Sequence, residues 1–321
     1  MTASKDFDDR LLSLGLARVS EAAAYAAASL IGRGNEHAAD QAAVSAMHAA
    51  LNQMDITGTI VIGEGDHDQT PMLYLGETLG TGDGPRVDIA LDPLQGCTLT
   101  AKDMPNAMTV IALALRGSLM QVPDVYMDKL AIGPGYPPDL VTLDMSPAER
   151  VHTLAQARGC AASDITVCIL ERPRHEDIIA EVRDTGAAVR LLSDGDVAGV
   201  IHTAEPELTG IDMYMGSGGA PEGVLAACAM KCMGGQIWGR LIFRTKDDEA
   251  RARQAGITDL NRIYGRDDMV TSDVIFAATG VTDGTIVAGV KREPGYLTTE
   301  TILMRSKTGS VRRMTYRSPV K

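Results

Sequence analysis

Aromatic side chains are scarce in this sequence: three Phe, one Trp and eight Tyr among 321 residues, 4% in all. A core with so few rings must be closed by Ala, Gly, Val and Met, and small residues pack closely, as they do in layered α/β folds. Long apolar runs are also missing. None reaches the roughly 20 residues that a membrane-spanning helix needs, so a helical membrane protein is excluded. The opening "MTASKDFDDR" is acidic and has no apolar signal core, and a cytoplasmic protein with no membrane partner is expected. Basic residues are in deficit: 30 Lys and Arg stand against 42 Asp and Glu, a formal net charge of −12. Such a chain is a poor match for the phosphate backbone of nucleic acid. If it holds phosphates, it does so with local cations or with metals. The five cysteines (Cys97, Cys160, Cys168, Cys228, Cys232) are odd in number and lack metal-ligand spacing, which fits free thiols in a reducing compartment. Cys228 and Cys232, one helical turn apart in "GVLAACAMKCMGG", read as small core residues rather than as a zinc pair or a disulfide.

What remains is ordinary for a globular protein: 45% hydrophobic and 22% charged residues, in a chain long enough for one large domain or two fused ones. "DDRLLSLGLARVSEAAAYAAASLI" (8–31) predicts a helix stopped by Gly32 and Gly34. "HAADQAAVSAMHAALNQM" (37–54) predicts a second, apolar on most of its surface and therefore buried. "GTIVIGEGD", "VDIALDP" and "AMTVIALAL" read as strands. The Pro- and Gly-rich stretch "GPGYPPDLVTLDMSPAERV" then reads as a loop between halves, which puts an N-terminal metal-binding subdomain at 1–150 and a C-terminal substrate-binding one at 151–321, integrated as one unit. After it, "DITVCIL", "RHEDIIAEVRDTG", "AAVRLLSDGD" and "VAGVIHTA" alternate, followed by a helix over Pro221–Met233 and by strands in "SDVIFAATGVTDG" and "TETILMRSKTGSVRRM". Alternation of this kind predicts the α/β class.

Several acids stand next to glycine or proline where an element should begin or end: Asp40 in "GRGNEHAAD", Glu64 and Asp68 in "VIGEGDHD", Asp92 in "ALDPLQG" and Glu222 in "GSGGAPEG". Each alone reads equally as a solvated turn or a helix cap. Together they suggest more, because clustered carboxylates repel unless a cation sits among them, and an all-oxygen cluster suits Mg²⁺ or Mn²⁺. "GSGGAPEGV" is either a plain helix start or a phosphate cradle, with glycine backbone leading into a helix N-terminus. "ERPRHED" gathers Arg172, Arg174 and His175, either a solvated helix start or a site for a second phosphate. Asp194 and Asp196 in "SDGDVAG" could accept hydrogen bonds from sugar hydroxyls or cap a helix.

These blocks, in this order, with "PDVYMDKLAIGPG" among them and "VIFAATGVTDG" after them, resemble the bacterial class II fructose-1,6-bisphosphatases of the lithium-sensitive sugar-phosphatase superfamily. The resemblance runs through nearly the whole chain. It implies a layered αβαβα sandwich of the sugar-phosphatase type and a homo-oligomer, dimer or tetramer. It also implies Mg²⁺- or Mn²⁺-dependent hydrolysis of the 1-phosphate of a small-molecule sugar bisphosphate. By the same resemblance Asp40, Glu64, Asp92 and Glu222 fall on metal-binding carboxylates, and Leu94 on a position that gives its backbone carbonyl. Asp68 falls on an acid needed for catalysis. Gly96, Tyr126, Arg174, Asp194, Asp196 and Gly219 fall on substrate-binding positions, with Lys129 and Arg172 beside them.

The resemblance breaks at "VDIALDPLQGCTLTA". The family pattern is Asp-Pro-aliphatic-Glu-Gly-Thr; here it is Asp92-Pro93-Leu94-Gln95-Gly96-Cys97. Gln95 stands in a metal-ligand and catalytic position but is neutral, and an amide oxygen holds a hard dication more weakly than a carboxylate does. Cys97 stands where a threonine orients the attacking water, and a thiol is a poor hydrogen-bond donor. Three readings follow: an active fructose-1,6-bisphosphatase with altered metal demand, a phosphatase for sedoheptulose 1,7-bisphosphate or another sugar phosphate, and a sugar-phosphate binder that has lost turnover.

Overall fold

The computed structural model describes residues 9–65 and 70–319. It divides into two compact units, one formed by Met1–Met120 and Val270–Lys321, the other by Gln121–Met269. The division therefore falls at 120 and 269, not near 150. The Pro- and Gly-rich stretch lies inside the second unit, because the strand before it is hydrogen-bonded to strands that follow much later in the chain.

In the first unit, α1 (Asp9–Ala28) and α2 (Glu36–Leu51) precede β1 (Thr57–Ile62), β2 (Thr78–Leu79), β3 (Arg86–Gln95), α3 (Cys97–Ala101) and β4 (Met108–Leu115). Gly32 adopts a left-handed backbone (φ 68°) just past α1, and the Asn35 side chain caps α2 by accepting from the Ala38 N–H at 3.0 Å. α2 buries a single stripe, Ala39, Ala43, Val44, Met47 and Leu51, and not most of its surface as its composition suggests.

The second unit runs β5 (Tyr126–Ile132), α4 (Pro147–Arg158), β6 (Thr166–Leu170), α5 (Glu176–Asp184), β7 (Ala188–Leu192), α6 (Asp196–His202), α7 (Pro206–Thr209), β8 (Met213–Gly219), α8 (Ala220–Met233), β9 (Gln236–Ile242), α9 (Lys246–Gln254), β10 (Ile263–Gly265) and α10 (Arg266–Met269). The chain then returns to the first unit with β11 (Val274–Gly280), β12 (Lys291–Glu293), β13 (Tyr296–Arg305) and β14 (Ser310–Pro319).

Among the described residues each unit carries one sheet. The first orders its strands β12-β13-β11-β4-β3-β1-β2, with β14 on β13; the second orders them β10-β9-β5-β8-β6-β7. β4 and β11 are near-continuous buried apolar runs at the centre of the first sheet, as strands covered on both faces must be. In the second sheet β5 lies between β8 and β9 along its full length. The α/β class expected from the alternating pattern is the one found. No helix among the described residues is long and apolar enough to cross a membrane.

α1 is joined to its sheet by polar contacts as well as by Leu16, Val19 and Ala23. Ser20 Oγ meets Thr279 Oγ1 at 2.7 Å, Thr279 meets Thr301 at 2.8 Å, and Thr109 Oγ1 donates to the Ser20 carbonyl at 2.9 Å. Beside this ladder lies Glu21, whose carboxyl is pushed up to about 7 by burial, against the opposing pull of Arg18 and the Thr301 hydroxyl. The folded state thus holds a proton on Glu21 that the unfolded chain has released above pH 4.5. Native protons then outnumber unfolded ones between about pH 4.5 and 7, so stability from this group falls as pH rises through that window. Glu21→Gln is expected to raise the melting temperature at pH 8 and to leave it nearly unchanged at pH 4.5. Equal shifts at both pH values would contradict the assignment.

Candidate active site

The acidic half of the site is built where β3 runs into α3. The strand does not stop at Asp92-Pro93. It continues to Gln95 through a shift in its pairing with β4 between Asp92 and Gln95, and such an irregularity accommodates a proline that cannot donate to a ladder. Gly96 follows with φ 93°, a left-handed backbone that glycine adopts freely, and turns the chain directly into α3. Asp92 therefore lies within the strand, one bulge before the turn, and is half-buried.

Asp40 is not at a helix end. It sits past the first turn of α2, facing the same segment. The Cys97 thiol donates to the Leu94 carbonyl at 3.2 Å and to Asp40 Oδ1 at 3.7 Å. Burial, then the charges of Asp40 and Asp92, then the Asp40 hydrogen bond and Glu64, push the Cys97 thiol far above its ordinary range. Asp40 itself is raised, by burial first, with the Cys97 and His37 contacts opposing. Asp40, Glu64 and Asp92 thus act on one thiol, and Cys97 is held as a neutral S–H rather than a nucleophile. At pH 8 the full-length protein is expected to be alkylated at Cys97 at under about a tenth of the rate of free cysteine, read by peptide mass spectrometry; labelling at the free-cysteine rate would contradict this placement.

Gln95 is only 4% exposed. Its Oε1 has no hydrogen-bond partner among the described residues. A buried acceptor without a donor costs about 1–3 kcal/mol, so this oxygen is suited to a donor or cation that the chain itself does not supply. With the carboxylates of Asp40, Glu64 and Asp92 and the Leu94 carbonyl, the donor set is all oxygen, which fits a hard divalent cation. Among the described residues no three His, Cys, Asp or Glu side chains are gathered closely enough to hold a metal as they stand. Asp68 lies outside the described residues.

The second unit holds the remaining expected residues. Lys129, on the central strand β5, is fully buried and paired with Asp196 at the start of α6. Close by, Glu222 in the first turn of α8 is raised by burial and by the Asp196 charge, with Lys129 opposing, and its Oε2 lacks a partner among the described residues. Gly218 and Gly219 let the backbone pass over these groups: a Cβ on Gly218 would collide with the Asp196 carboxylate, and one on Gly219 with that of Glu222.

The "ERPRHED" segment splits. His175 is buried and neutral in role. Its Nδ1 lies 2.8 Å from the Leu170 carbonyl, and its Nε2 accepts the Ser217 N–H at 2.8 Å, so it joins β6 to β8 and burial lowers its pKa. Arg172 spends its guanidinium on the Glu171 and Ser193 carbonyls and on Asp194 at 3.5 Å. Arg174 donates to the Ser217 hydroxyl at 3.0 Å and carbonyl at 2.7 Å and lies over the Tyr126 ring. Sequence reading missed Arg244, which covers the same ring at 3.8 Å.

The first unit carries a cluster of half-buried acids around a strand end, and the second, taken by itself, arginines around glycine-rich backbone; the comparisons make the protein a phosphoric monoester hydrolase. The particular family is settled by comparison: residues 10–318 match the family described as bacterial fructose-1,6-bisphosphatase, glpX-encoded, and the chain belongs to it. It is 42% identical over 318 residues to fructose-1,6-bisphosphatase 1 class 2 of Escherichia coli K12, covering 95% of this chain and 94% of that one. The fructose-1,6-bisphosphatase class 2 of Shigella flexneri matches to the same extent. Among solved structures, the inositol monophosphatase of Anabaena (Nostoc) sp. PCC 7120 aligns over 60% of this chain and 71% of its own, at 16% identity and a TM-score of 0.31, too loosely to carry an argument.

Proposed function

We propose that this protein hydrolyses the 1-phosphate of fructose 1,6-bisphosphate with the help of Mg²⁺ or Mn²⁺. Membership of the class 2 family across nearly the whole chain carries this reading, and the all-oxygen donor set of the first unit supports it. The other sugar phosphates, and a binder without turnover, are not favoured by the relatives.

Asp40, Glu64, Asp92, Gln95 and the Leu94 carbonyl would hold metal in the first unit, and Glu222 in the second. The chemistry such an ion would supply there is charge neutralisation at the phosphate and a lowered pKa for water. The chain's own part is positioning, which together with charge neutralisation supplies most of the rate in phosphoryl transfer. Cys97 keeps its proton and orders the Leu94 carbonyl and Asp40. Asp196, held by Lys129, accepts from a sugar hydroxyl, as does Asp194. The Gly219 backbone and the α8 N-terminus face a phosphate, and Arg174 takes another through the guanidinium edge that Ser217 leaves open. Asp68, outside the described residues, is assigned the role of the acid that catalysis needs on the strength of the family resemblance alone. The same reading places the enzyme in the cytoplasm, as a dimer or tetramer.

Product identity tests it. Phosphorus NMR of a reaction with fructose 1,6-bisphosphate is expected to show inorganic phosphate and fructose 6-phosphate in equal amounts. Accumulation of fructose 1-phosphate, or faster release from sedoheptulose 1,7-bisphosphate, would overturn it.

A further inference from the structure

Among the described residues, four that are not glycine have a left-handed backbone: Leu73, Asp103, Asn106 and Asp139. Aspartate and asparagine visit this region because their short polar side chains bond the local backbone; for a bulky residue such as leucine it is an outlier. Leu73 holds φ 59° and is fully buried. A residue stays in so sparsely populated a region only where its surroundings over-determine it, and such residues gather at functional sites. Here the peptide groups of Leu73 are held from both sides. Its carbonyl accepts the Glu64 N–H at 3.0 Å, and its N–H donates to Glu77 Oε2 at 2.5 Å. Gly63 lets the chain pass this close, since a Cβ there would lie 2.3 Å from the Leu73 oxygen.

Glu77 is itself fixed. Its carbonyl accepts the Ile60 N–H at 3.0 Å, and the Gly76 N–H donates to the Ile60 carbonyl at 2.8 Å, so this stretch of backbone is tied to β1. The Glu77 side chain, 13% exposed, gives its other oxygen, Oε1, to His48 Nε2 at 2.9 Å. A carboxylate only accepts, so His48 is the donor. His48 stands about two turns after Asp40 on α2. One carboxylate thus joins the helix that carries Asp40 to the turn that fixes the Glu64 backbone, all within the first unit. Ligand distances to a metal ion are set to within about 0.2 Å, so the segments carrying Asp40 and Glu64 cannot drift apart without loss of affinity.

We infer that Glu77 is a positioning residue for the metal site: with His48 it holds Leu73 in its left-handed turn, and through the Leu73 carbonyl it sets the Glu64 backbone relative to Asp40. It acts through Leu73 and needs no contact with substrate. This deepens the reading given under Proposed function and rests on it for Glu64 as a metal ligand. Groups that orient ligands from behind cost about ten- to hundred-fold in metal affinity when they are removed.

The test is calorimetric titration of the full-length protein with Mn²⁺, paired with amide hydrogen exchange in EDTA read by NMR. Glu77→Ala is expected to weaken Mn²⁺ binding about ten- to hundred-fold. It should also speed exchange at the Glu64 and Leu73 amides, while Ile89 and Ile111 in the same sheet keep their wild-type protection. Glu77→Gln, which keeps an acceptor for the Leu73 N–H, should restore most of both, and His48→Ala should give an intermediate loss. In turnover, Glu77→Ala should need more Mn²⁺ for its half-maximal rate, with KM for fructose 1,6-bisphosphate at saturating Mn²⁺ within about threefold of wild type. Unchanged Mn²⁺ binding in Glu77→Ala, exchange speeded equally at Ile89 and Ile111, or wild type binding no Mn²⁺ would overturn the assignment. If Glu77→Ala does not fold, His48→Ala decides it by the same two readings, and wild-type values in both would overturn it. The binding and exchange pattern holding in a protein that releases no phosphate would leave the role of Glu77 standing and remove the catalytic reading instead.

Discussion

In the Lys129→Met variant, the urea transition seen by Trp238 fluorescence is expected to shift by the equivalent of about 3–5 kcal/mol. Trp238 is the one tryptophan of the chain and lies on β9, in the same unit as Lys129, so it reports the unfolding that matters. Lys129 is fully buried in the middle strand, and its ammonium meets Asp196, itself 7% exposed. Glu222 lies in the field of both. Methionine conserves most of the volume, so packing changes little. What is lost is the charge that lets two carboxylates stay buried. Removing one partner of a buried pair leaves the other uncompensated, and the penalty comes from that orphaned charge. Adding Asp196→Leu to Lys129→Met should therefore recover a large part of the stability while abolishing turnover. A loss under about 1 kcal/mol in the single variant would mean that the pair is far wetter than its geometry indicates.

The second large effect is a change of sign. Gln95→Glu is expected to lower the melting temperature in EDTA and to raise it, relative to wild type, in excess Mn²⁺. Position 95 is buried, and its side-chain oxygen already lacks a partner among the described residues. A carboxylate there adds a buried charge to a segment that already carries Asp92 and faces Asp40, which costs several kcal/mol without a cation. With a divalent ion the same carboxylate is a stronger ligand than the amide. The metal concentration for half-maximal phosphate release should fall about ten- to hundred-fold, or roughly 1.4–2.8 kcal/mol of binding. An effect of the same sign in both buffers would place the metal elsewhere. Cys97→Thr, alone, should keep the hydrogen bonds to Leu94 and Asp40 with a better donor and raise kcat rather than metal affinity.

Much of this was legible in the sequence, and the parts that were not share a cause. The end of the first helix was marked by Gly32 and Gly34, strands by their β-branched runs, and the site segments by glycine beside acid. All of these are local signals. The continuation of β3 past Asp92 was hidden, because Pro93 inside a strand normally argues against one; only the shifted pairing with β4 accommodates it. The unit boundary was hidden because it depends on β5 choosing β8 and β9, and on β11–β14 returning to the first sheet. His175 looked like a third cation and is a neutral link between strands. Arg244 carried no motif. Its signal is the register of Tyr126 with Ile242, which exists only after the sheet has formed.

The most direct measurement is phosphate release from fructose 1,6-bisphosphate by the purified full-length protein across a Mn²⁺ titration, with Asp92→Asn alongside. Wild type is expected to release phosphate in a saturable, metal-dependent way, and Asp92→Asn to be slower by about 10²–10³-fold. No release from wild type at any Mn²⁺ or Mg²⁺ concentration, or undiminished release by Asp92→Asn, would contradict the account.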